Sequence, residues 1–247
     1  RRGIPQTRWF CRECHGKGCE RCNFTGKMYA ESVEELIKSS IIDVYGAKDV
    51  ILHGCGREDI DARMLGSGRP FVVELREPKR RQRVDLRALE EKVNEENRAK
   101  LEVTNLEYVN REMVALIKNT SARKTYRMLV ELRGAVAESK LREAVKELDG
   151  AVIEQRTPSR VVHRRADLIR SRRIYEMKLL NYSGSTCELE VKCDGGLYVK
   201  ELISGDKGRT RPNLSDLLGT GIEAEVKELD VIDVELDTNH EITVATR

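Results

Sequence analysis

Apolar residues recur at helical spacing in several stretches of the sequence. The clearest stretch begins at Ser32, which can form a capping box with Glu35, and it predicts a helix that continues to about Val44. Further helices are predicted over residues 85–98 and 139–148, and residues 111–119 fit a helix or a strand. The pattern therefore predicts helices interspersed with the strands described next.

Alternating apolar and polar residues predict the strands. Two runs, residues 174–179 and 187–193, alternate with a period of two and flank Ser183-Gly184-Ser185, which is typical of an antiparallel hairpin with one buried face. Cys187 and Cys193 point to that buried face, so we expect them to be core thiols. Other strands are predicted at residues 50–53, 71–75, 101–103, 123–132, 151–155 and 221–236.

The composition is that of a folded globular protein. Of the 247 residues, 39% are hydrophobic, 35% are charged and 4% are aromatic. A chain of this length and apolar content can form one large domain with or without a small appendage. No run is long enough for a transmembrane helix and no signal peptide opens the chain, so we expect a cytoplasmic protein with no membrane partner. We expect no obligatory protein partner. The net charge of +3 is too small to indicate nucleic-acid binding by itself.

Four of the seven cysteines form a metal-ligand pattern near the start of the chain. The spacing is Cys11-x2-Cys14-x4-Cys19-x2-Cys22, in which both pairs can grip one ion and the four thiolates complete the closed shell of a structural zinc. Residues 1–30 are too poor in apolar side chains to form a core, so metal is the expected stabiliser. Two alternatives remain, which are four reduced cysteines in a flexible loop and an iron–sulfur cluster.

A glycine-punctuated loop over residues 54–71 follows the predicted strand at residues 50–53. Glycine permits positive φ and a close approach of ligand to backbone, so such a loop can present a carboxylate such as Asp59 or Asp61 at the end of a strand. The alternative is a solvated turn in which the acids and arginines satisfy one another.

This loop resembles the active site of a known enzyme family. Arg57-Glu58-Asp59 resembles the Arg-x-Asp core around the catalytic aspartate of pseudouridine synthases, and residues 56–66 with residues 68–71 are similar to the family usually called Pus ten. Members of that family modify uridines 54 and 55 in the T-loop of tRNA. The resemblance implies a tRNA pseudouridine synthase, an isomerase without an organic cofactor. Its nucleophile would be Asp59, with Asp61 as the rival.

Two further motifs follow in the order that the family has. Lys124-Thr125-Tyr126 resembles the second motif, whose tyrosine lies against the target base. Residues 195–202 resemble the third motif, in which an apolar and a basic residue begin a helix, and here the basic residue is Lys200 where many relatives have arginine. The resemblance implies that Lys200 offsets the charge of the carboxylate, and that Arg57 does the same or holds a phosphate. The implied substrate contacts are Tyr126 and Leu202.

The resemblance also implies the architecture. We expect an α/β (α+β) protein with the pseudouridine synthase fold, a mixed but largely antiparallel sheet flanked by helices, with a central catalytic cleft. The predicted domains are residues 1–30, a zinc knuckle with its linker, and residues 31–247, the catalytic domain. Family members carry an amino-terminal RNA-binding domain that we expect this sequence to lack.

An arginine-rich hairpin is predicted over residues 156–173. It holds seven arginines, His163 and a single acid, Asp167, and each arginine can grip a phosphate with two hydrogen bonds. The expected partner is the T-loop and T-arm of tRNA; the alternative is an exposed hairpin without a partner, whose like charges would repel. The predicted RNA-binding residues are Arg69, Arg80, Arg81, Arg156, Arg160, His163, Arg164, Arg165, Arg170, Arg172, Arg173, Lys207, Arg209 and Arg211.

Two other functions fit parts of the sequence. The zinc knuckle and the arginines would also suit a non-catalytic zinc-containing RNA-binding protein. Residues 14–18 resemble a single glycine–cysteine repeat of DnaJ-type chaperones, so a chaperone-like zinc module joined to an unrelated domain is a further alternative. Loss of reaction on replacing Asp59 would distinguish the enzyme from both.

Overall fold

The computed structural model describes residues 1–236, except for the side chain of Arg164. The chain divides into two compact units, of which the first contains residues 1–63 and 69–119 and the second contains residues 64–68 and the chain from residue 120 onward. The predicted boundary at residue 30 stays a prediction. Residues 237–247 of the predicted catalytic domain lie outside the described residues.

Helices and strands follow one another throughout the described chain. None of the described helices is both long enough and apolar enough to cross a membrane. In chain order the elements are α1 (Val33–Tyr45), β1 (Asp49–Gly54), β2 (Ala62–Met64), β3 (Phe71–Arg76), α2 (Leu86–Glu96), α3 (Glu112–Asn119), β4 (Ala122–Arg133), α4 (Glu138–Leu148), β5 (Val152–Arg156), β6 (Ile169–Tyr182), β7 (Thr186–Asp194), α5 (Val199–Ser204), β8 (Thr210–Arg211), α6 (Leu214–Leu218) and β9 (Glu223–Leu236).

The core of the first unit forms where α1 packs against α2 and against the antiparallel hairpin of β1 and β3. Its centre is buried and consists of Ile37, Ile41, Leu52, Leu89 and Val93. These side chains occupy the apolar positions with helical or strand spacing in the sequence. Burial of this one stripe from each element therefore holds the first unit together.

Side-chain caps begin both of these helices. Ser32 accepts a hydrogen bond from the backbone N–H of Glu35 (3.2 Å) and donates one to the Glu35 carboxylate (2.8 Å), so the predicted cap is confirmed. Asp85 accepts a hydrogen bond from the backbone N–H of Arg87 (2.9 Å) at the start of α2. Each cap satisfies a backbone donor that has no partner within the helix.

Residues 101–103 do not form a strand, so that prediction is wrong. The amide of Asn94 in α2 donates to the carbonyl of Val103 (2.8 Å) and accepts from its N–H (2.7 Å). Because one side chain satisfies both backbone groups, buried Val103 needs no neighbouring strand. Residues 111–119, which fit either element, form a helix from residue 112 onward.

The second unit is built on a seven-stranded sheet in the order β2-β9-β4-β7-β6-β5-β8. The pairs β9–β4, β4–β7, β7–β6, β6–β5 and β5–β8 are antiparallel. Cys187, Leu189, Val191 and Cys193 are buried on β7, which confirms the predicted hairpin and its core thiols. Helix α4 packs against β6 and α5 against β9. The predicted architecture, a largely antiparallel sheet flanked by helices, is confirmed.

Candidate active site

Arg69 holds the loop that presents Asp59. Its guanidinium donates to the carbonyl of Gly56 (2.8 Å) and to the side-chain oxygen of Gln6 (2.5 Å), and it lies 3.4 Å from the carboxylate of Glu58. The side chains of Arg69 and Glu58 are mostly buried. A planar guanidinium can make several directed bonds at once, so this one residue fixes two points of the loop. Its predicted RNA contact stays a prediction.

The first residues of the chain support the same loop. The N–H of Gly3 donates to the carbonyl of Ile60 (2.9 Å), and the side chain of Arg2 donates to the carbonyl of Asp61 (3.2 Å). The guanidinium of Arg57 lies 4.9 Å from the centre of the Trp9 ring, within the range of a cation–π interaction. An irregular loop thus gains from this segment the contacts that a strand would gain from its neighbours.

The three acids of the loop have different surroundings. Glu58 is ion-paired with Arg69, Asp61 is exposed, and Asp59 is half-buried. The carbonyl of Asp59 accepts a hydrogen bond from the N–H of Ala62 (3.0 Å), which closes a turn directly after it. Asp59 is thus less exposed than Asp61, and its role as the nucleophile stays a prediction.

The chain leaving this loop joins the sheet of the second unit. The N–H of Leu65 donates to the carbonyl of Val231 (2.8 Å), and the hydroxyl of Ser67 donates to Asp233 (2.8 Å), both on β9. Gly66 has φ +58°, and a Cβ atom at this position would lie 2.0 Å from the carbonyl oxygen of Ile232. Only glycine can occupy this position without displacing the backbone.

Tyr126 lies on β4 where that strand pairs with the same part of β9. The register shifts between Thr125, opposite Asp233, and Tyr126, opposite Val231, so Ile232 is an extra residue on β9. Irregularities of this kind bend a strand and re-aim its side chains, and they are common beside active sites. Tyr126 itself is 2% exposed. The segment that follows the Asp59 loop and the strand that bears Tyr126 therefore both bond to one stretch of β9.

Lys200 is the second residue of α5, and an uncharged clamp fixes the start of that helix. The side chain of Gln155 accepts from the N–H of Tyr198 (2.8 Å) and donates to its carbonyl (3.1 Å) and to the hydroxyl of Thr210 (3.0 Å). Lys200 is half-buried. Leu202 is fully buried, like Tyr126, and its predicted contact with substrate stays a prediction.

Arg160 joins the arginine-rich segment to α5. Its guanidinium donates to both carboxylate oxygens of Glu201, at 2.6 and 3.3 Å, and the Glu201 side chain is only 6% exposed. This bidentate ion pair holds Glu201, the residue next to Lys200, in a fixed position. Arg160 is thus a structural partner of the helix, and its predicted RNA contact stays a prediction.

Other cations of the arginine-rich segment also bond within the protein. Arg156 and Arg209 both contact Asp167, at 2.7 and 2.6 Å, and the hydrogen bond from Arg156 is the main cause that lowers the pKa of Asp167. Arg170 donates to the hydroxyl of Thr157 (3.0 Å). Asp167 and Thr157 belong to the segment itself, whereas Arg209 comes from outside it, so these bonds offset only part of the repulsion that the sequence suggests.

The remaining predicted RNA-binding residues differ in exposure. Arg172 is partly buried and donates to the carbonyl of Gly195 (3.1 Å), whereas Arg80 donates to the carbonyl of Asp43 (3.2 Å) near the end of α1. The side chain of Arg164 lies outside the described part of the structure. The exposed residues among these are Arg80, Arg81, His163, Arg165, Arg173, Lys207 and Arg211.

The four cysteines near the start of the chain converge on one point. Their sulfur atoms all lie within 4.8 Å of one another, in a cluster that could hold a metal ion. Burial opposes ionisation of Cys22, but backbone N–H groups of Cys19 and Gly26 donate to its sulfur and lower its pKa to about 6. Burial raises the pKa of Cys19 to about 12. Backbone donors aimed at sulfur are typical of thiolate metal sites.

Comparison with known proteins shows which family the chain belongs to. A family model described as Pus10, C-terminal, matches residues 1–235. The chain belongs to this Pus10 family. A protein named tRNA pseudouridine synthase Pus10 from Methanothrix thermoacetophila is 54% identical over 98% of this chain and 53% of its own length. The protein of the same name from Archaeoglobus fulgidus is 50% identical over 94% of this chain and 64% of its own length.

The chain spans about half the length of most of the curated Pus10 relatives that it matches. Among solved structures, a chain of the crystal structure of a Cbf5-Nop10-Gar1 complex matches with a TM-score of 0.50 at 19% identity, over 82% of this chain and 45% of that chain. At this identity the likeness shows a shared fold alone. The fold that the Pus10 resemblance implies is therefore confirmed.

Sequence reasoning missed several residues that hold the candidate residues in each of the two units. The sequence does indicate Gln155, because it is a polar residue on the buried face of a strand. The sequence indicates Glu201 in the same way, because this charged residue lies among apolar residues of α5. No local pattern indicates Gln6 or Trp9, because their contacts join segments that are far apart in sequence.

Proposed function

We propose that this chain isomerises uridine to pseudouridine in tRNA, with Asp59 as the catalytic carboxylate. The observation that carries the proposal is the loop in which a half-buried Asp59, at the Arg-x-Asp position, is held in place by Arg69 and by the start of the chain. The name of the relatives, tRNA pseudouridine synthase Pus10, supports the same reaction.

The chemistry of the reaction suits a site of this kind. The bond from ribose C1′ to base N1 breaks, the uracil turns over, and C1′ bonds to C5. The hydrogen on C5 leaves as a proton and N1 gains one, so no electrons or groups are exchanged with a cofactor. A carboxylate assists by bonding to the nucleotide or by taking a proton from the sugar. Because aspartate is already ionised at neutral pH, its loop has to orient it rather than activate it.

Each of the other motif residues has a role in this proposal. Tyr126 lies beside the target base, and Lys200 balances the charge of the carboxylate. A cation about 4 Å from a carboxylate is worth roughly 4 kcal/mol at an effective dielectric constant of 20. Arg57, two residues before Asp59, either adds to that charge or holds a phosphate of the nucleotide that is turned out of its stack.

The proposed substrate is the T-arm of tRNA, with uridine 55, uridine 54 or both as targets, and the proposed location is the cytoplasm. Family resemblance supports the choice of uridines. The exposed cations of the second unit support the choice of an RNA, because neutralising phosphates releases counterions and strengthens binding. They include Arg165, Arg173, Lys207 and Arg211.

We propose zinc as the ion of the cysteine cluster. Neighbouring sulfur atoms lie 3.7 to 3.8 Å apart. Four thiolates about 2.3 Å from a central zinc would be about 3.8 Å from one another. We expect about one zinc per chain by elemental analysis, lost in Cys14→Ser and kept in Cys187→Ser, which changes a core thiol. Zinc retained by Cys14→Ser would reject the site.

Release of tritium tests the proposed reaction. A tRNA transcript labelled with tritium at C5 of uridine loses the label to water as the new bond forms. We expect the parent chain to release tritium and Asp59→Ala to release at least a thousandfold less, with tRNA binding within twofold of the parent. Asp61→Ala is the matched control, since it removes a carboxylate from the same loop.

The outcomes separate the enzyme from a binding protein. Release by Asp61→Ala but not by Asp59→Ala supports the proposed carboxylate. Equal release by Asp59→Ala and the parent would reject it. A parent chain that binds the transcript and releases no tritium would favour the non-catalytic RNA-binding protein.

A further inference from the structure

The cysteine knuckle, residues 8–28, displays aromatic rings to solvent. Phe24 is 74% exposed and Phe10 is 54% exposed, and no large apolar side chain among residues 1–236 is more exposed than Phe24. Single exposed apolar residues are common on protein surfaces and need no explanation by themselves. The Phe10 ring also packs over Gly16, where an added Cβ atom would lie 2.7 Å from it, whereas Phe24 is the more exposed of the two rings.

The backbone of Phe24 is also unusual. Its φ is +59°, in the left-handed region that bulky residues seldom adopt. Residue 23 before it, an asparagine, tolerates that region far better. A strained conformation that keeps a large ring in water is unfavourable on both counts, so it indicates that the ring serves a ligand rather than the fold.

The module that bears these rings also carries exposed cations. The guanidinium of Arg8 lies 4.6 Å from the centre of the Phe10 ring. Arg12, Lys17 and Arg21 are exposed on the same module. Residues 8–28 contain five lysines and arginines against two glutamates, although Arg21 lies 3.7 Å from Glu13 and Lys27 lies 2.6 Å from Glu35. Exposed rings among cations form the surface that binds single-stranded nucleic acid, with bases on the rings and phosphates beside the cations.

The knuckle also adjoins the loop of Asp59 within the first unit. Trp9, next to Phe10, contacts Arg57 of that loop, and its carbonyl accepts from the N–H of Met28 of the knuckle (2.9 Å). Nucleotides stacked on the knuckle would therefore belong to the strand near the target uridine.

We infer that Phe24 and Phe10 form a stacking site for an unpaired stretch of the RNA substrate, whose phosphates contact Arg12, Lys17 and Arg21. The choice of RNA rests on the proposed function. A protein partner would instead call for an apolar surface with fewer cations around it.

Substitution of Phe24 tests the stacking site in the full chain loaded with its metal. The probe is a fluorescein-labelled decauridylate, which has no secondary structure, and binding is followed by anisotropy. We expect Phe24→Asn to weaken binding by about 5- to 100-fold, the usual effect of losing one stacked base. Phe24→Trp should restore it. Val109→Asn, which changes an exposed apolar residue of the same unit, should bind within twofold of the parent.

The stability of the same variants excludes a structural role. Asparagine tolerates positive φ, so Phe24→Asn should have a urea midpoint equal to or above that of the parent. A clearly lower midpoint would mean that the ring supports the fold and would overturn the inference. Binding of Phe24→Asn within twofold of the parent, or failure of Phe24→Trp to restore binding, would also overturn it.

Tritium release on the same preparations separates this inference from the proposed reaction. If Asp59→Ala still releases tritium while Phe24→Asn binds decauridylate weakly, the proposed carboxylate is wrong and the stacking site stands. If Asp59→Ala is inactive and Phe24→Asn binds normally, the stacking site is wrong and the reaction stands.

Discussion

The two units hold their candidate catalytic residues in different ways. In the first unit, Asp59 lies in an irregular loop that is fixed by a few bonds from Arg69 and from the start of the chain. In the second unit, Tyr126 lies within a strand paired on both sides, and Lys200 lies on a helix whose start is clamped by Gln155.

Because of this difference, mutations should affect activity and stability differently in the two units. A strand pair shares its stability over many backbone bonds, so the loss of one side-chain contact moves it little. A loop held by a few side-chain bonds can shift when one is lost, and a shift of about 1 Å in a catalytic group can cost a hundredfold in rate. We therefore expect substitutions around the loop to change activity more than stability.

Gly66→Ala should have the largest effect. Its new methyl group would have to displace the carbonyl of Ile232, so the segment after the Asp59 loop would detach from β9. We expect tritium release to fall more than a hundredfold and the free energy of unfolding to fall by about 2–4 kcal/mol, as for other overpacked sites.

Gly68→Ala is the matched control for that substitution. Gly68 also has positive φ (+74°), but a Cβ atom there would have no neighbour within 4 Å. We expect the loss to be about 1 kcal/mol, the cost of positive φ alone, with nearly normal activity. Equal effects of the two substitutions would mean that the contact with β9 does not matter.

Glu201→Gln should have the next largest effect, and in the second unit it should act mainly on stability. It removes the charge that pairs with Arg160 while the glutamate site is almost fully buried. Breaking such a pair on one side costs about 3–5 kcal/mol, less here because Arg160 is partly exposed. Urea unfolding of Glu201→Gln, Arg160→Met and the double variant gives the coupling energy, and additive losses would contradict the pair.

The sequence predicted the regular elements well because their patterns are local. The hairpin of β6 and β7 and the caps at Ser32 and Asp85 follow from periodicity and short-range bonds. The strand expected at residues 101–103 failed because the side chain of Asn94 took the place of a neighbouring strand. A partner supplied by a side chain on another element leaves no periodic signal.

The candidate site residues show the same distinction between local patterns and contacts between distant segments. Motif resemblance predicted Asp59, Tyr126 and Lys200 as site residues. It did not indicate the residues that hold them, since Gln6 and Gln155 act across long separations in sequence. Counting arginines also overstated the exposed charge of residues 156–173. The bond between Arg160 and Glu201 spans segments that no local count connects.

Arg69→Lys should affect the loop selectively. Lysine keeps the charge but cannot bond to Gln6 and Gly56 together in the geometry of a guanidinium. We expect tritium release to fall about tenfold while the free energy of unfolding changes by less than about 1 kcal/mol. Trp9 is the single tryptophan of the chain and contacts Arg57, so its fluorescence reports whether the loop has moved.

The exposed Arg81 offers the control for that substitution. Arg81→Lys should leave both tritium release and the Trp9 emission unchanged. An Arg69→Lys variant with the emission and activity of the parent would show that the loop does not depend on the guanidinium.

Glu74→Gln should have the smallest effect, and its dependence on pH contrasts the two units. Glu74 and His53 bond across β1 and β3 at the base of the loop (3.0 Å), and this hydrogen bond is the main cause that lowers the pKa of Glu74. A carboxylate with a lowered pKa stabilises the fold above its unfolded pKa of about 4.3, and this contribution is lost as the pH falls through the folded pKa. We therefore expect Glu74→Gln to cost under about 1 kcal/mol at pH 7 and less than that at pH 3.

Gln155→Ala provides the comparison in the second unit. Its clamp on Tyr198 is uncharged and buried, so its loss should cost about 1–3 kcal/mol equally at both pH values. Urea unfolding of the parent and both variants at pH 7 and pH 3 measures the two differences. A cost for Glu74→Gln that does not change with pH would show that the carboxylate charge has no part in holding the base of the loop.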